Sequence, residues 1–136
     1  MTRAAVAATG AAVLALAGCG GPASDIFAVQ RTGSIPDARL LLVVADDGTV
    51  RCNGGPTKQL GDARLLTARE LGRELDDAAR GGRSLPPGRA SVLSYRVRLP
   101  SGTLSYQDSS PNQTKAELQL QGFVRDVAQH VCGLTR

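Results

Sequence analysis

The sequence has no tryptophan, one histidine, one methionine and only four aromatic side chains, Phe27, Tyr95, Tyr106 and Phe123. A platform that stacks nucleobases or sugar rings needs several exposed rings side by side, and this chain has almost no material for one. Nucleic acid is therefore not expected as a partner, despite a formal net charge of +4. With His130 as the sole imidazole and no closely spaced cysteines, no metal site and no cofactor site are expected. Gly54-Gly55-Pro56 lacks the spacing and context of a phosphate-cradling loop. A Ser-His-Asp arrangement would have to recruit His130, which follows a helical apolar stripe near the chain's end, where a capping or surface role is commoner. No catalytic residue is assigned, and an enzyme is not expected.

Also lacking is any apolar run of the roughly 20 residues that a helix needs to cross a bilayer. The longest stretch, Ala4 to Ala17, is interrupted by Thr9 and Gly10, preceded by Arg3, and ends in Leu16-Ala17-Gly18-Cys19. A short basic segment, an apolar segment and small residues at its end form a secretion signal. An Ala-rich stretch without a polar face also has no amphipathic stripe with which to dock as a helix of the domain.

Leu16-Ala17-Gly18-Cys19 resembles the lipobox of bacterial lipoproteins, such as those of high-GC Gram-positive bacteria: a hydrophobic residue, two small residues and Cys at the end of the apolar segment. The resemblance covers the signal alone. It implies a thioether from Cys19 to diacylglycerol, cleavage before Cys19, and a cell-membrane protein anchored on the extracytoplasmic face. Residues 1–18 are then a removed signal peptide, 19–24 a lipidated tether and 25–136 a small domain. One acyl chain, at about 0.8 kcal/mol per buried methylene, anchors marginally, whereas two or three hold durably.

What is present is ordinary globular material: 42% hydrophobic and 21% charged residues, enough for one small domain. Fourteen of the 16 basic residues are Arg in an Ala- and Gly-rich chain, a pattern of GC-rich codon usage that can itself produce the basic excess.

Asp25 to Arg31 reads as a strand, followed by breakers at 32–36. Ala38 to Ala45 and Val50-Arg51-Cys52 flank Asp47-Gly48, a type I′ hairpin signal, so these strands are expected to be antiparallel neighbours. Residues 53–61 read as a Gly/Pro loop. Thr67-Ala68-Arg69-Glu70 matches a capping box, with Leu66 placed to staple Leu71; Ala68, Leu71, Leu75 and Ala78 form the apolar face before Gly81-Gly82. Arg80 to Arg89 reads as a basic, solvated connector. Ser91 to Leu99 and Thr103 to Gln107 alternate cleanly about Ser101-Gly102 and predict a second hairpin. Thr114-Lys115-Ala116-Glu117 is a second capping box, opening a helix expected to reach Cys132 with its stripe at Leu120, Phe123, Val124, Val127 and Val131. The expected fold is α+β, in the order βββαββα, with both helices on one face of a mostly antiparallel sheet.

Three cysteines in a short exported chain imply one with a separate role. With Cys19 assigned to lipid, Cys52 and Cys132 form an even pair in an oxidising compartment, and a disulfide is expected. The surface available to a protein or a polyanion is the polar face of the sheet, Arg51, Ser94, Arg96, Arg98, Thr103, Ser105 and Gln107, with the basic connector, and a plain solvated face is the equal alternative.

The order of two hairpins, each followed by an amphipathic helix, is also similar to that of the small emfourin-type inhibitors of bacterial metallopeptidases. That likeness is topological, spans most of residues 25 to 132, rests on no motif and carries over no inhibitory residue. The function expected is a membrane-anchored, non-enzymatic binding module with an envelope-protein partner. A tethered protease inhibitor and a small envelope hydrolase are the alternatives.

Overall fold

A computed structural model describes residues 23–136, all of the expected domain. Cys19 and the signal lie outside the described residues. The strands are β1 (Asp25–Gly33), β2 (Leu40–Ala45), β3 (Thr49–Cys52), β4 (Thr57–Gln59), β5 (Leu93–Leu99) and β6 (Gly102–Gln107). The helices are α1 (Asp62–Arg80), after β4, and α2 (Lys115–His130), after β6. They realise the expected α+β order, with β4 as a three-residue addition inside the segment read as a loop. All neighbours in the sheet, β4-β3-β2-β1-β5-β6, are antiparallel.

β1 joins the two hairpins. It pairs with β2 on one side and β5 on the other, with Val29 opposite both Leu42 and Val97. Alternation then directs Phe27, Val29, Leu42, Val44, Val50, Val97, Leu99, Leu104 and Tyr106 to the helix side, where they meet Leu71 and Leu75 of α1 and Leu120, Val124 and Val127 of α2 in one core. Phe27 meets Phe123 edge-on at 5.9 Å, while Tyr95 stacks on Tyr106 at 5.4 Å.

The second capping box forms as expected. Thr114 Oγ1 accepts from the Glu117 amide at 3.2 Å, and Glu117 Oε2 accepts from the Thr114 amide at 2.7 Å. The first does not. α1 begins five residues before Thr67, at Gly61-Asp62, and Thr67 Oγ1 instead donates to the Ala63 carbonyl at 3.1 Å. Leu66 is 66% exposed and staples nothing. Leu65, one turn ahead of Ala68 and packed on the core, extends the buried stripe backward. Burial of that extra turn, with buried Leu60 fixing the entry and Gly61 at φ 90 turning the chain, outweighs a side-chain cap of about 1 kcal/mol. At the other end of the stripe Ala79 is buried and Ala78 only partly so.

The β2–β3 turn also differs from a type I′ pair. Only Gly48 has positive φ, the Gly48 amide donates to the Ala45 carbonyl, and Asp47 Oδ1 accepts from the Thr49 amide at 2.9 Å. This is a three-residue loop, a type I turn closed by a left-handed glycine, which matches the strand twist equally well. At the second hairpin, Gly102 serves close approach: a Cβ there would lie 2.2 Å from the Ala79 carbonyl oxygen at the end of α1.

α2 ends at His130, so Cys132 lies two residues beyond the helix and not in its last turn. Cys52 and Cys132 are bonded, with Cα atoms 5.9 Å apart and a sequence separation of 80. The bridge joins the end of β3 to the segment after α2. Lys58 Nζ reinforces the same junction by donating to the Val131 carbonyl at 3.1 Å.

Several surface carboxylates tie elements together, which gives stability a pH dependence. Asp126 on α2 takes a 2.6 Å hydrogen bond from Arg64 on α1, and that bond, followed by the charges of Arg64 and His130, holds its carboxyl below the usual range. Hydrogen bonds from Ser101, Thr49 and Thr135 lower Asp76, Asp47 and Asp37 in the same direction. A depressed folded-state pKa contributes stability that is complete above the unfolded value and is lost as pH falls through the folded one. Urea midpoints are therefore expected to be flat above about pH 5 and to fall below about pH 4. A midpoint unchanged down to about pH 2 would contradict this reading.

Candidate binding surface

With both helices on one side, the opposite face of the sheet is uncovered. Its middle row runs in register across all six strands: Thr57, Arg51, Val43, Ala28, Arg98 and Thr103. The next row carries Leu41, Gln30, Arg96 and Ser105, and a third carries Thr32, Ser94 and Gln107. All seven residues expected from the alternation therefore share this face. Ala28 and half-buried Val43 form a low apolar centre between Arg51 and Arg98, whose strands are three spacings, about 14 Å, apart.

The charge on the face is one-sided. Among the described residues none of Arg51, Arg96 and Arg98 has a carboxylate at ion-pair distance, whereas Arg64, Arg69, Arg80 and Arg83 all do. The nearest acids, Asp25 and Asp47, stand at the rim beside Ala45, and Asp47 is occupied by Thr49. The middle of the face thus offers three exposed guanidinium groups, several amides and hydroxyls, and the 45% exposed Leu41. The face carries two open hollows of about 400 and 380 Å³, one beside Arg96 and one beside Arg51, and its breadth suits an acidic surface, which guanidinium forks recognise by paired hydrogen bonds.

The basic connector is more ordered than a solvated loop. The Ser105 amide donates to the Arg83 carbonyl at 3.0 Å and the Leu85 amide to the Ser105 carbonyl at 2.9 Å, so residues 83–85 run along the outer edge of β6. Arg83 itself turns inward to Glu117. At the opposite edge β4 is only three residues long, and a short strand limits further pairing there. His130 is exposed, with Nδ1 2.9 Å from Asp126 Oδ1. Its partner is the carboxylate that Arg64 also engages.

Residue type alone does not mark Arg31 as an inward residue, but strand parity does. Arg31 has the same strand parity as Phe27 and Val29, so alternation sends it to the helix side, where it is 1% exposed. Residue type suggested a strand end; position decides otherwise. Among the described residues, no helix is long and apolar enough to cross a membrane. No protein-family model, curated protein or solved structure matches the chain.

Proposed function

We propose that the protein is a lipoprotein anchored through Cys19 on the extracytoplasmic face of the cell membrane, and that its domain is a non-enzymatic binding module of the cell envelope. The partner it fits is a protein with an acidic, shallow surface. The observation that carries this reading is the uncovered sheet face, on which Arg51, Arg96 and Arg98 stand without carboxylate partners among the described residues. Four arginines off this face, Arg64, Arg69, Arg80 and Arg83, are ion-paired, and three without such partners gathered on one open face form a surface suited to charge supplied by another molecule.

The anchor supports the same reading. β1 starts six residues after Cys19, a reach of about 20 Å when extended, so a lipidated domain stays close to the bilayer and meets other membrane proteins at raised local concentration. A disulfide linking Cys52 and Cys132 suits an oxidising compartment.

The anchor and the face are tested together. Cys19→Ser is expected to accumulate uncut precursor and to lose lipid labelling; normal labelling rejects the anchor. In membranes carrying the wild-type anchor, a photo-crosslinking residue at position 96 is expected to give a discrete adduct, whereas one at exposed position 66 on the helix side gives none. The adduct should disappear in the Arg51→Ser/Arg98→Ser variant. Equal adducts from both positions, or none from either, reject the face.

A further inference from the structure

The second feature of the molecule that lacks an explanation is Arg31. Its Nε donates to the Ala38 carbonyl and its Nη2 to the main-chain oxygens of Asp37 and Arg136, each at 2.8 Å. These bonds fix the guanidinium and tie the segment before β2 to the end of the chain. They leave the Nη1 pair without an acceptor among the described residues.

Tyr95 lies directly across the β1–β5 ladder from Arg31. It is 3% exposed and stacked on Tyr106. The Tyr106 hydroxyl donates to the Glu117 carbonyl at 3.0 Å, but the Tyr95 hydroxyl has no such partner among the described residues. Buried polar atoms in this domain are otherwise satisfied: no fully buried side-chain nitrogen or oxygen lacks a hydrogen bond. Arg31 Nη1 and Tyr95 Oη must therefore open onto accessible space. A cavity of about 450 Å³ supplies it, lined by Arg31, Tyr95 and Asp108 and, from α2, by Gln121, Arg125 and Gln129.

The lining is rich in donors. Guanidinium groups only donate, and Arg31 stays charged even though burial lowers its pKa. Burial raises the Tyr95 pKa and keeps its hydroxyl protonated. Of the lining acceptors, Asp108 takes the Val92 amide at 3.1 Å and the Arg136 main-chain oxygen takes Arg31 Nη2 at 2.8 Å. Gln121 and Gln129 already donate their amides to Gln113 Oε1 and the Thr135 carbonyl, so the free donors among the described lining residues are Arg31 Nη1, the Tyr95 hydroxyl and Arg125. The cavity's size lies in the range of small-ligand pockets. A group that enters must bring oxygen acceptors and negative charge, because an unpaired polar group of low accessibility costs about 1–3 kcal/mol and a charged one more.

We infer that this cavity is a binding site for a small organic or inorganic oxyanion, a carboxylate or a phosphate, held by Arg31 Nη1, the Tyr95 hydroxyl and Arg125. It lies on the helix side of the sheet and is separate from the open face. Carboxylate and phosphate present the same paired oxygens to an arginine fork, so the test includes both.

The test uses nitrogen-15 NMR of the full chain in neutral detergent, following the Arg side-chain Nε–H signals and the Gln amide signals. Titration with sodium acetate and with sodium phosphate is expected to shift Arg31, Gln121 and Gln129 saturably, while sodium chloride at matched ionic strength does not. The stronger of the two anions identifies the head group. Arg125→Gln, at an exposed position, and Tyr95→Phe, which keeps the stacked ring, should each weaken binding about tenfold. Arg96→Gln on the open face should leave it unchanged. Shifts that fail to saturate, that chloride reproduces, or that survive both cavity substitutions overturn the site.

Discussion

Replacing Cys52 and Cys132 together by Ala is expected to lower the unfolding free energy by about 4 kcal/mol, the largest effect of any substitution argued for this protein. The bridge spans 80 residues, and chain-entropy arithmetic for a loop of that length gives about 4.5 kcal/mol, reduced by whatever strain the native bridge carries. Domains of this size have only about 5–15 kcal/mol in total, so at least about a quarter of the margin is at stake. The loss has a location. Cys52 ends β3, and beyond it the sheet has only the three residues of β4, so the disulfide and the Lys58–Val131 hydrogen bond are what hold that edge to the end of α2. Amide exchange at Thr57 to Gln59 and at Val131 to Leu134 should therefore accelerate more than exchange in β1. Urea unfolding of the oxidised, reduced and double-Ala forms measures the total. A loss under about 1 kcal/mol would show that the bridge constrains an unfolded state already compact at this loop.

How far the sequence disclosed this fold depends on whether the deciding physics was local. Thr114 to Glu117 formed its capping box because the reciprocal bonds lie within four residues and an apolar stripe follows at once. Thr67 to Glu70 had the same pattern and failed, because the choice of helix start was made by burial of Leu65 and Leu60 against strands far away in sequence. Likewise β5 and β6 announced themselves by alternation, and with them the open face. The insertion of β1 between the two hairpins is a pairing of residues 68 apart, Val29 with Val97, to which no local pattern refers. The cavity was hidden for a different reason. Its signal, the parity of Arg31 with Phe27 and Val29, was legible, but a charged residue at an inward position makes sense only once its acceptors at Asp37, Ala38 and Arg136 are in place. β4 is too short to carry any period at all.

The same contrast between residue type and position governs the second large effect, which falls on Arg83. In an arginine-rich connector it looks like one solvated cation among three, yet it alone of these turns to a buried acid. Glu117 has a side chain only 1% exposed; Arg83 Nε donates to its Oε1 at 2.6 Å, and Arg83 Nη2 donates to the Asn112 carbonyl at 2.8 Å. Arg83→Ala would leave that carboxylate in the core facing only the Thr114 amide and the helix N-terminus. Breaking a buried pair from one side typically costs about 3–5 kcal/mol, and because 32% of the Arg83 side chain meets solvent the expected loss is at the lower end, about 3 kcal/mol. Water can partly reach the vacated position. Glu117→Gln removes the charge but keeps an oxygen for the Thr114 amide, so its cost should be smaller, about 1–2 kcal/mol. The decisive variant is Arg83→Ala with Glu117→Gln. With no charge left unpaired, its loss should be at least about 1 kcal/mol less than the sum of the two single substitutions measured by urea unfolding. Additive losses would mean that the two residues contribute independently, Arg83 through its Nη2 hydrogen bond to the Asn112 carbonyl and Glu117 through the α2 cap.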